Sequence, residues 1–153
     1  MLLDIPTNGD GNPNVIHVLG SVSNINEDDI RDIDLFYNNL CVDLCDALNL
    51  NILEIKKHCF EPAGFSLLAL LSESHMSFHS WPERKAVFFD LFSCSDLNVG
   101  LISIIIAGYF KQSGLPNAVV KMQGFHRSHE HHIETEDQVF YTTENGLTPF
   151  NHG

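Results

Sequence analysis

The sequence predicts an α+β fold, a two-layer sandwich of a mainly antiparallel sheet with helices on one face. Two observations carry this. Two segments place apolar residues at helical spacing, and around them lie short runs rich in apolar, aromatic and β-branched residues, broken by Pro- and Gly-containing turns. The strands and helices do not alternate as repeated βα units, which argues against a doubly wound parallel sheet. At 153 residues the chain is one domain, 1–153, large enough for a single core.

Residues 1–14 contain Pro6-Thr7-Asn8-Gly9-Asp10-Gly11-Asn12-Pro13-Asn14 and read as a loose, turn-rich leader. Val15–Val22 reads as a strand. Asn26, Glu27, Asp28 and Asp29 supply a cap and first-turn acids for a helix, because carboxylates favour the positive end of the dipole. Ile30, Ile33, Phe36, Leu40, Leu44 and Leu48 then form one apolar helical face that ends near Asn49. From Asn51 the period shortens. Ile52–Phe60, Phe65–Ser72, His75–Trp81 and Ala86–Ser93 read as consecutive antiparallel strands, separated by Pro62-Ala63-Gly64 and Pro82-Glu83-Arg84. A second helix is expected over Asn98–Ser113, stopped by Gly114 and Pro116, and a last strand over Ala118–Gly124. The element order is read as β-α-β-β-β-α-β. Residues 126–153, rich in His and acids, read as a polar tail.

A net charge of −12 argues against nucleic acid and anionic membrane as partners, since both require basic patches, and suits a cationic small substrate. No run reaches the ~20 apolar residues that span a bilayer. The start Met-Leu-Leu-Asp-Ile-Pro lacks the basic and apolar regions of a signal peptide, which points to the cytoplasm. Cys41, Cys45, Cys59 and Cys94 are too few and too irregular for a disulfide scaffold, and Cys41 and Cys45, one helical turn apart, read as small buried hydrophobes. The tail residues His126, His129, His131 and His132 match no closed metal-site spacing, and no metal is assigned.

The chemistry concentrates in residues 60–94, where serines, histidines, an acid and a cysteine gather around strand ends and a Pro-containing turn. By themselves they leave several reaction classes open. Their order, however, resembles the bacterial and archaeal S-adenosylmethionine decarboxylase family. That family carries Ala/Ser-Glu-Ser-His-x-x-x-His-Thr-x-Pro-Glu, preceded by Phe-x-Pro-x-Gly-Val-Ser and followed by Asp-x-Phe-Thr-Cys-Gly. This chain has Ser72-Glu73-Ser74-His75, then His79-Ser80-Trp81-Pro82-Glu83. Upstream stands Phe60-Glu61-Pro62-Ala63-Gly64-Phe65-Ser66, and downstream Asp90-Leu91-Phe92-Ser93-Cys94. The intervals agree too: eight residues from Ser66 to Ser74, five to His79 and twenty from Ser74 to Cys94.

The resemblance implies a proenzyme in which Ser74 attacks the carbonyl of Glu73, the amide becomes an ester, and β-elimination separates 1–73 from 74–153. The second fragment then begins with a covalent pyruvoyl group, the cofactor. Serine suits the step because its Oγ sits close to its own preceding carbonyl. His79 matches the family's processing base and Ser66 a second serine that assists. The pyruvoyl carbonyl forms a Schiff base with the substrate amine and accepts electrons when carbon dioxide leaves, and Cys94 matches the donor that reprotonates the α-carbon. Phe60 matches an aromatic that stacks on adenine and Glu83 a carboxylate that binds ribose hydroxyls. The resemblance further implies a homodimer of processed protomers, with active sites near the subunit boundary, and a role in spermidine biosynthesis.

Departures from the family pattern keep alternatives open. Of the usual Gly-Lys/Arg-His-Leu opening only His17 is present, the residue after Ser66 is Leu67, Ser95 follows Cys94, and the tail lacks Arg-Gly. Relatives that decarboxylate arginine or ornithine share the scaffold, so a basic amino acid is the alternative substrate. An unprocessed, non-catalytic homologue is the third reading.

Overall fold

The structure, a computed structural model, describes residues 15–95, 97–127, 133–143 and 146–150. The expected leader, 1–14, and the tail histidines His129, His131 and His132 lie outside these residues.

Strand β1 (Val15–Ser23) is followed by helix α1 (Ile33–Ala47), then β2 (Ile52–Cys59), β3 (Phe65–Leu71), β4 (Ser74–Trp81) and β5 (Ala86–Ser93). Helix α2 (Val99–Gln112) leads to β6 (Val119–Arg127), β7 (Ile133–Thr143) and β8 (Gly146–Phe150). All pairings are antiparallel, in the order β2-β3-β4-β5-β1-β6-β7-β8. The α+β sandwich of the sequence reading is therefore present, with two corrections to its element order. The four runs read as strands between the helices are all strands, so the order β-α-β-β-β-α-β counts one too few there; Ser72 and Glu73 alone turn β3 into β4. Part of the expected polar tail also continues the sheet as β7 and β8. Its acids obscure the β-branched and aromatic residues Thr135, Val139, Phe140, Tyr141, Thr142 and Thr143, which favour strand.

Helix α1 starts later than the acidic run suggests. Glu27–Asp29 form a single 3-10 turn, Ile30 is extended, and the Asp32 carboxylate accepts from the Leu35 N–H at 3.0 Å as the true cap. The local reason is burial: Ile25 and Ile30 drop into the core on either side of the turn, and Glu27 is carried in with them at 8% exposure. At the other end Asn49 takes a left-handed φ of 56°, the helix stop the sequence places there. Helix α2 is capped by Asn98, which accepts from the Leu101 N–H at 3.0 Å.

Phe36, Tyr37, Leu40, Cys41, Leu44 and Cys45 turn one face of α1 onto the sheet, and the two cysteines are buried free thiols as expected. Ile102, Ile106 and Phe110 do the same from α2. The ring of Tyr37 stacks on Phe65, centroids 5.4 Å apart, and Phe36 meets Phe110 edge-on at 5.2 Å, joining both helices to the sheet. Strict alternation then divides the sheet. Phe65, Leu67, Ala69, Leu71, Met76, Phe78, Val87, Phe89 and Leu91 lie buried under the helices. The opposite face is open and bears Leu19, Leu68, Leu70, Trp81 and Phe88, all at least 40% exposed. Among the described residues no helix is long and apolar enough to cross a membrane.

Candidate active site

Leu71 pairs with Ser74, so Ser72 and Glu73 alone make the β3–β4 turn. Glu73 sits at φ 61°, a left-handed conformation that costs a residue with a side chain about 1 kcal/mol. A tight hairpin needs positive φ to follow the strand twist, and here a glutamate supplies it where glycine is usual. Ser74 opens β4 with its side chain turned to the helix layer, 7% exposed, and its hydroxyl donates to Ser93 Oγ at 3.1 Å. Ser93 Oγ also accepts from the Ser95 N–H at 3.0 Å. The half-buried Cys94 follows directly. Burial pushes its thiol pKa up and the nearby Glu73 carboxylate pushes the same way, so Cys94 is a neutral thiol at physiological pH.

A second group forms at the far end of the same strands. Ser66 and His79 are cross-strand partners on the open face, and Ser66 Oγ lies 2.7 Å from His79 Nδ1. The serine donates when that nitrogen carries no proton. Around them opens a cavity of about 530 Å³, lined by Phe60, Gly64, Ser66, His79, Trp81 and Glu83 among others, within the size range of small-molecule sites. Gly64, at φ 116°, turns the chain back so that Phe60 faces this space. Arg84 lies 5.3 Å over the Trp81 ring.

These two groups are separate in one chain. His79 is five residues beyond Ser74 on β4, or roughly 17 Å at ~3.3 Å per residue, and alternation points the two side chains to opposite faces. Phe60, Ser66, His79 and Glu83 are thus gathered together, and so are Glu73, Ser74 and Cys94. His79 is not brought to Ser74.

Sequence reasoning overlooked three contributors. Ser93 is the hydrogen-bond partner of Ser74; the only signal is its place on the buried side of β5. Glu27 reads as an exposed cap acid but lies buried beside Ser80, behind the cavity. Burial raises its pKa, although the Ser80 hydroxyl pulls the other way, and neither carboxylate oxygen completes a hydrogen bond. The third is a group on the open face one residue past Ser74. His17 Nε2 lies 2.9 Å from Asp90 Oδ2, His75 Nε2 lies 3.7 Å from the same oxygen, and the Ser77 hydroxyl donates to Asp90 Oδ1. Burial tends to raise the Asp90 pKa, but Ser77 and the two imidazoles outweigh it and hold the carboxyl below its ordinary range.

Residues 16–122 match the model of the S-adenosylmethionine decarboxylase family. The chain belongs to that family. An S-adenosylmethionine decarboxylase proenzyme of Thermodesulfovibrio yellowstonii is 31% identical over 80 residues, 52% of this chain and 58% of that protein. An arginine decarboxylase proenzyme of Caldivirga maquilingensis is 30% identical over 97 residues, 60% of this chain and 72% of that protein. The fold matches the crystal structure of an adenosylmethionine decarboxylase from Aquifex aeolicus with a TM-score of 0.57 at 22% identity, covering 81% of this chain and 95% of the other. Family membership covers both groups of residues, since Phe60 to Cys94 lie wholly inside the matched segment.

Proposed function

We propose that the chain is a proenzyme that cleaves itself between Glu73 and Ser74 and then acts as a pyruvoyl-dependent decarboxylase of S-adenosylmethionine, in the cytoplasm, feeding spermidine biosynthesis. The observation that supports this most is the cavity: Phe60, Ser66, His79 and Glu83, scattered over 24 positions of sequence, line one space of about 530 Å³.

The residues at the turn fit the formation of a pyruvoyl end. Ser74 Oγ adds to the Glu73 carbonyl carbon, and the peptide nitrogen is released as the amine while an ester forms. The strained Glu73 backbone relaxes in that exchange. A base then removes the Ser74 α-proton, the Cβ–Oγ bond breaks, and Glu73 leaves as a carboxylate. Water replaces the nitrogen of the resulting dehydroalanine as ammonia. Ser74 thereby becomes a chain start, no longer held in the hairpin. The pyruvoyl group supplies an electrophilic carbonyl for the substrate amine and an electron sink for the carboxylate carbon. Cys94, a neutral thiol within electrostatic reach of Glu73, is suited to return a proton to the α-carbon. Phe60 offers a face to the adenine ring and Glu83 a carboxylate to the ribose hydroxyls.

His79 and Ser66 serve Ser74 from a second copy of the chain. Two protomers packed through their open sheet faces, related by a two-fold axis, bury Leu19, Leu68, Leu70 and Phe88 and juxtapose the cavity of one with the Glu73–Ser74 turn of the other. Each site is then shared, and a homodimer carries two.

The Caldivirga relative named for arginine supports a second reading, in which the same chemistry acts on a basic amino acid. Incubation of processed protein with carboxyl-labelled S-adenosylmethionine, arginine and ornithine separates the two. Labelled carbon dioxide is expected from S-adenosylmethionine; release from arginine or ornithine alone overturns that substrate.

A further inference from the structure

We propose that His17, His75 and Asp90 form a three-ligand site for a divalent transition-metal ion of the zinc class, on the open face of the sheet. The proposal does not depend on the decarboxylase reading. The three side chains come from β1, β4 and β5, adjacent strands of the sheet, and their ligand atoms all lie within 4.8 Å of one another. Here the Nε2 atoms of two imidazoles converge on Asp90 Oδ2, at 2.9 and 3.7 Å. Those separations bracket the roughly 3.3 Å between ligand atoms that metal–ligand bonds of about 2.0–2.1 Å give in a tetrahedron.

The surroundings also suit an ion. His17 and His75 are both cross-strand partners of Phe92, whose ring stacks on His75 at 5.2 Å and meets His17 edge-on at 5.8 Å. One aromatic ring thus fixes both imidazole planes. Ser77 donates to Asp90 Oδ1, which leaves Oδ2 directed at the imidazoles, the outer support that carboxylate ligands ordinarily have. Two imidazoles and a carboxylate favour zinc, cobalt or nickel over magnesium or calcium, and three protein ligands leave a fourth position for water or a group from a partner. The side chains of His17, His75 and Asp90 are 25%, 44% and 25% exposed, so an ion can enter the free chain.

The test is titration of the full-length protein, without a polyhistidine tag, by Zn²⁺ in a calorimeter and by Co²⁺ followed by visible absorption. His129, His131 and His132 are a competing source of imidazole, so a full chain with those three changed to alanine is measured beside the wild type. The site predicts one equivalent bound in both proteins, with cobalt bands of low coordination number. Asp90→Asn and His75→Gln, neither of which removes packed volume, abolish that equivalent, and Ser77→Ala weakens it ~10-fold. Binding that survives Asp90→Asn and His75→Gln, binding lost only with the tail histidines, or no binding at all overturns the proposal. Circular dichroism of each variant confirms that a lost equivalent is not a lost fold.

Discussion

Ser66 Oγ and His79 Nδ1 lie 2.7 Å apart on the open face of the sheet, the face away from the one into which Ser74 points. A serine–imidazole pair at that distance is ready to exchange a proton, yet the bond it is proposed to act on is ~17 Å down the same strand. A strand does not fold back on itself, so the role proposed for the pair requires that it serve a second copy of the chain. This follows from the two-residue periodicity of β4.

Mixed dimers check it. His79→Ala alone is expected to process at least ~100-fold more slowly, in keeping with the loss of a general base. Ser74→Ala alone is not cleaved at all. Co-expressed with Ser74→Ala, the His79→Ala chain regains cleavage, because one of the two shared sites then has both Ser74 and His79. Quantifying the fragments of each tagged chain reads this directly; a His79→Ala chain that stays uncut in the mixture contradicts a shared site.

Cys94 is expected to hold its proton at neutral pH. Burial and the Glu73 carboxylate both raise its pKa, so the thiol persists above the ordinary ~8.5 and is lost only as pH rises through the higher value. Decarboxylation that needs the thiol should therefore fall on the alkaline side of that range. Iodoacetamide, followed by peptide mass spectrometry, should label exposed Cys59 before Cys94 at pH 7. Cys94→Ala should leave self-cleavage intact and lower turnover ~100-fold.

Glu73→Gly, made in a Ser74→Ala background so that no cleavage intervenes, should stabilise the chain. The left-handed φ of 61° is free to glycine, and about 1 kcal/mol of relief raises the thermal midpoint by ~2–4 °C in a chain of this size. A lowered midpoint means that the Glu73 side chain has a stabilising role of its own.

Gly20→Ala tests the packing beneath the helices. A Cβ at Gly20 meets the Phe89 ring on the paired strand at 2.2 Å, and the ring is only 5% exposed. Overpacking of this kind costs about 1–3 kcal/mol, read as a lower denaturation midpoint at unchanged m-value.

Much of this was legible in the sequence where local chemistry decides structure. The breaks at Pro62-Ala63-Gly64 and Pro82-Glu83-Arg84, the Asn98 cap and the Gly114 stop all act within a few residues of themselves. Glu27 escaped because an acid in a capping position and an acid dragged under a buried Ile25–Ile30 turn look alike in one dimension. Strand β7 escaped because Glu134, Glu136 and Asp137 give its first half the look of a polar tail, and β8 because Gly146 and Pro149 mark so short a run as a loop. In the candidate site, the resemblance to the family's motif nominated Phe60, Ser66, His79, Glu83, Ser74 and Cys94. The odd spacing of Ser74 and His79 sets them on opposite faces once both are known to lie in β4, but the grouping of Ser66 with His79, and of Cys94 with Ser74, depends on cross-strand register and emerged only from the sheet. Ser93 and the convergence of His17 and His75 on Asp90 depend on pairings across β1, β4 and β5, which no local pattern encodes.

The central claim is the cut between Glu73 and Ser74, and the intact mass of the purified protein tests it most directly. The account predicts two fragments, of 73 and 80 residues, the second lighter than its serine-initiated form by the change from serine to pyruvoyl, and a single uncut chain for Ser74→Ala. A wild-type protein of full-chain mass, or cleavage that persists in Ser74→Ala, contradicts it.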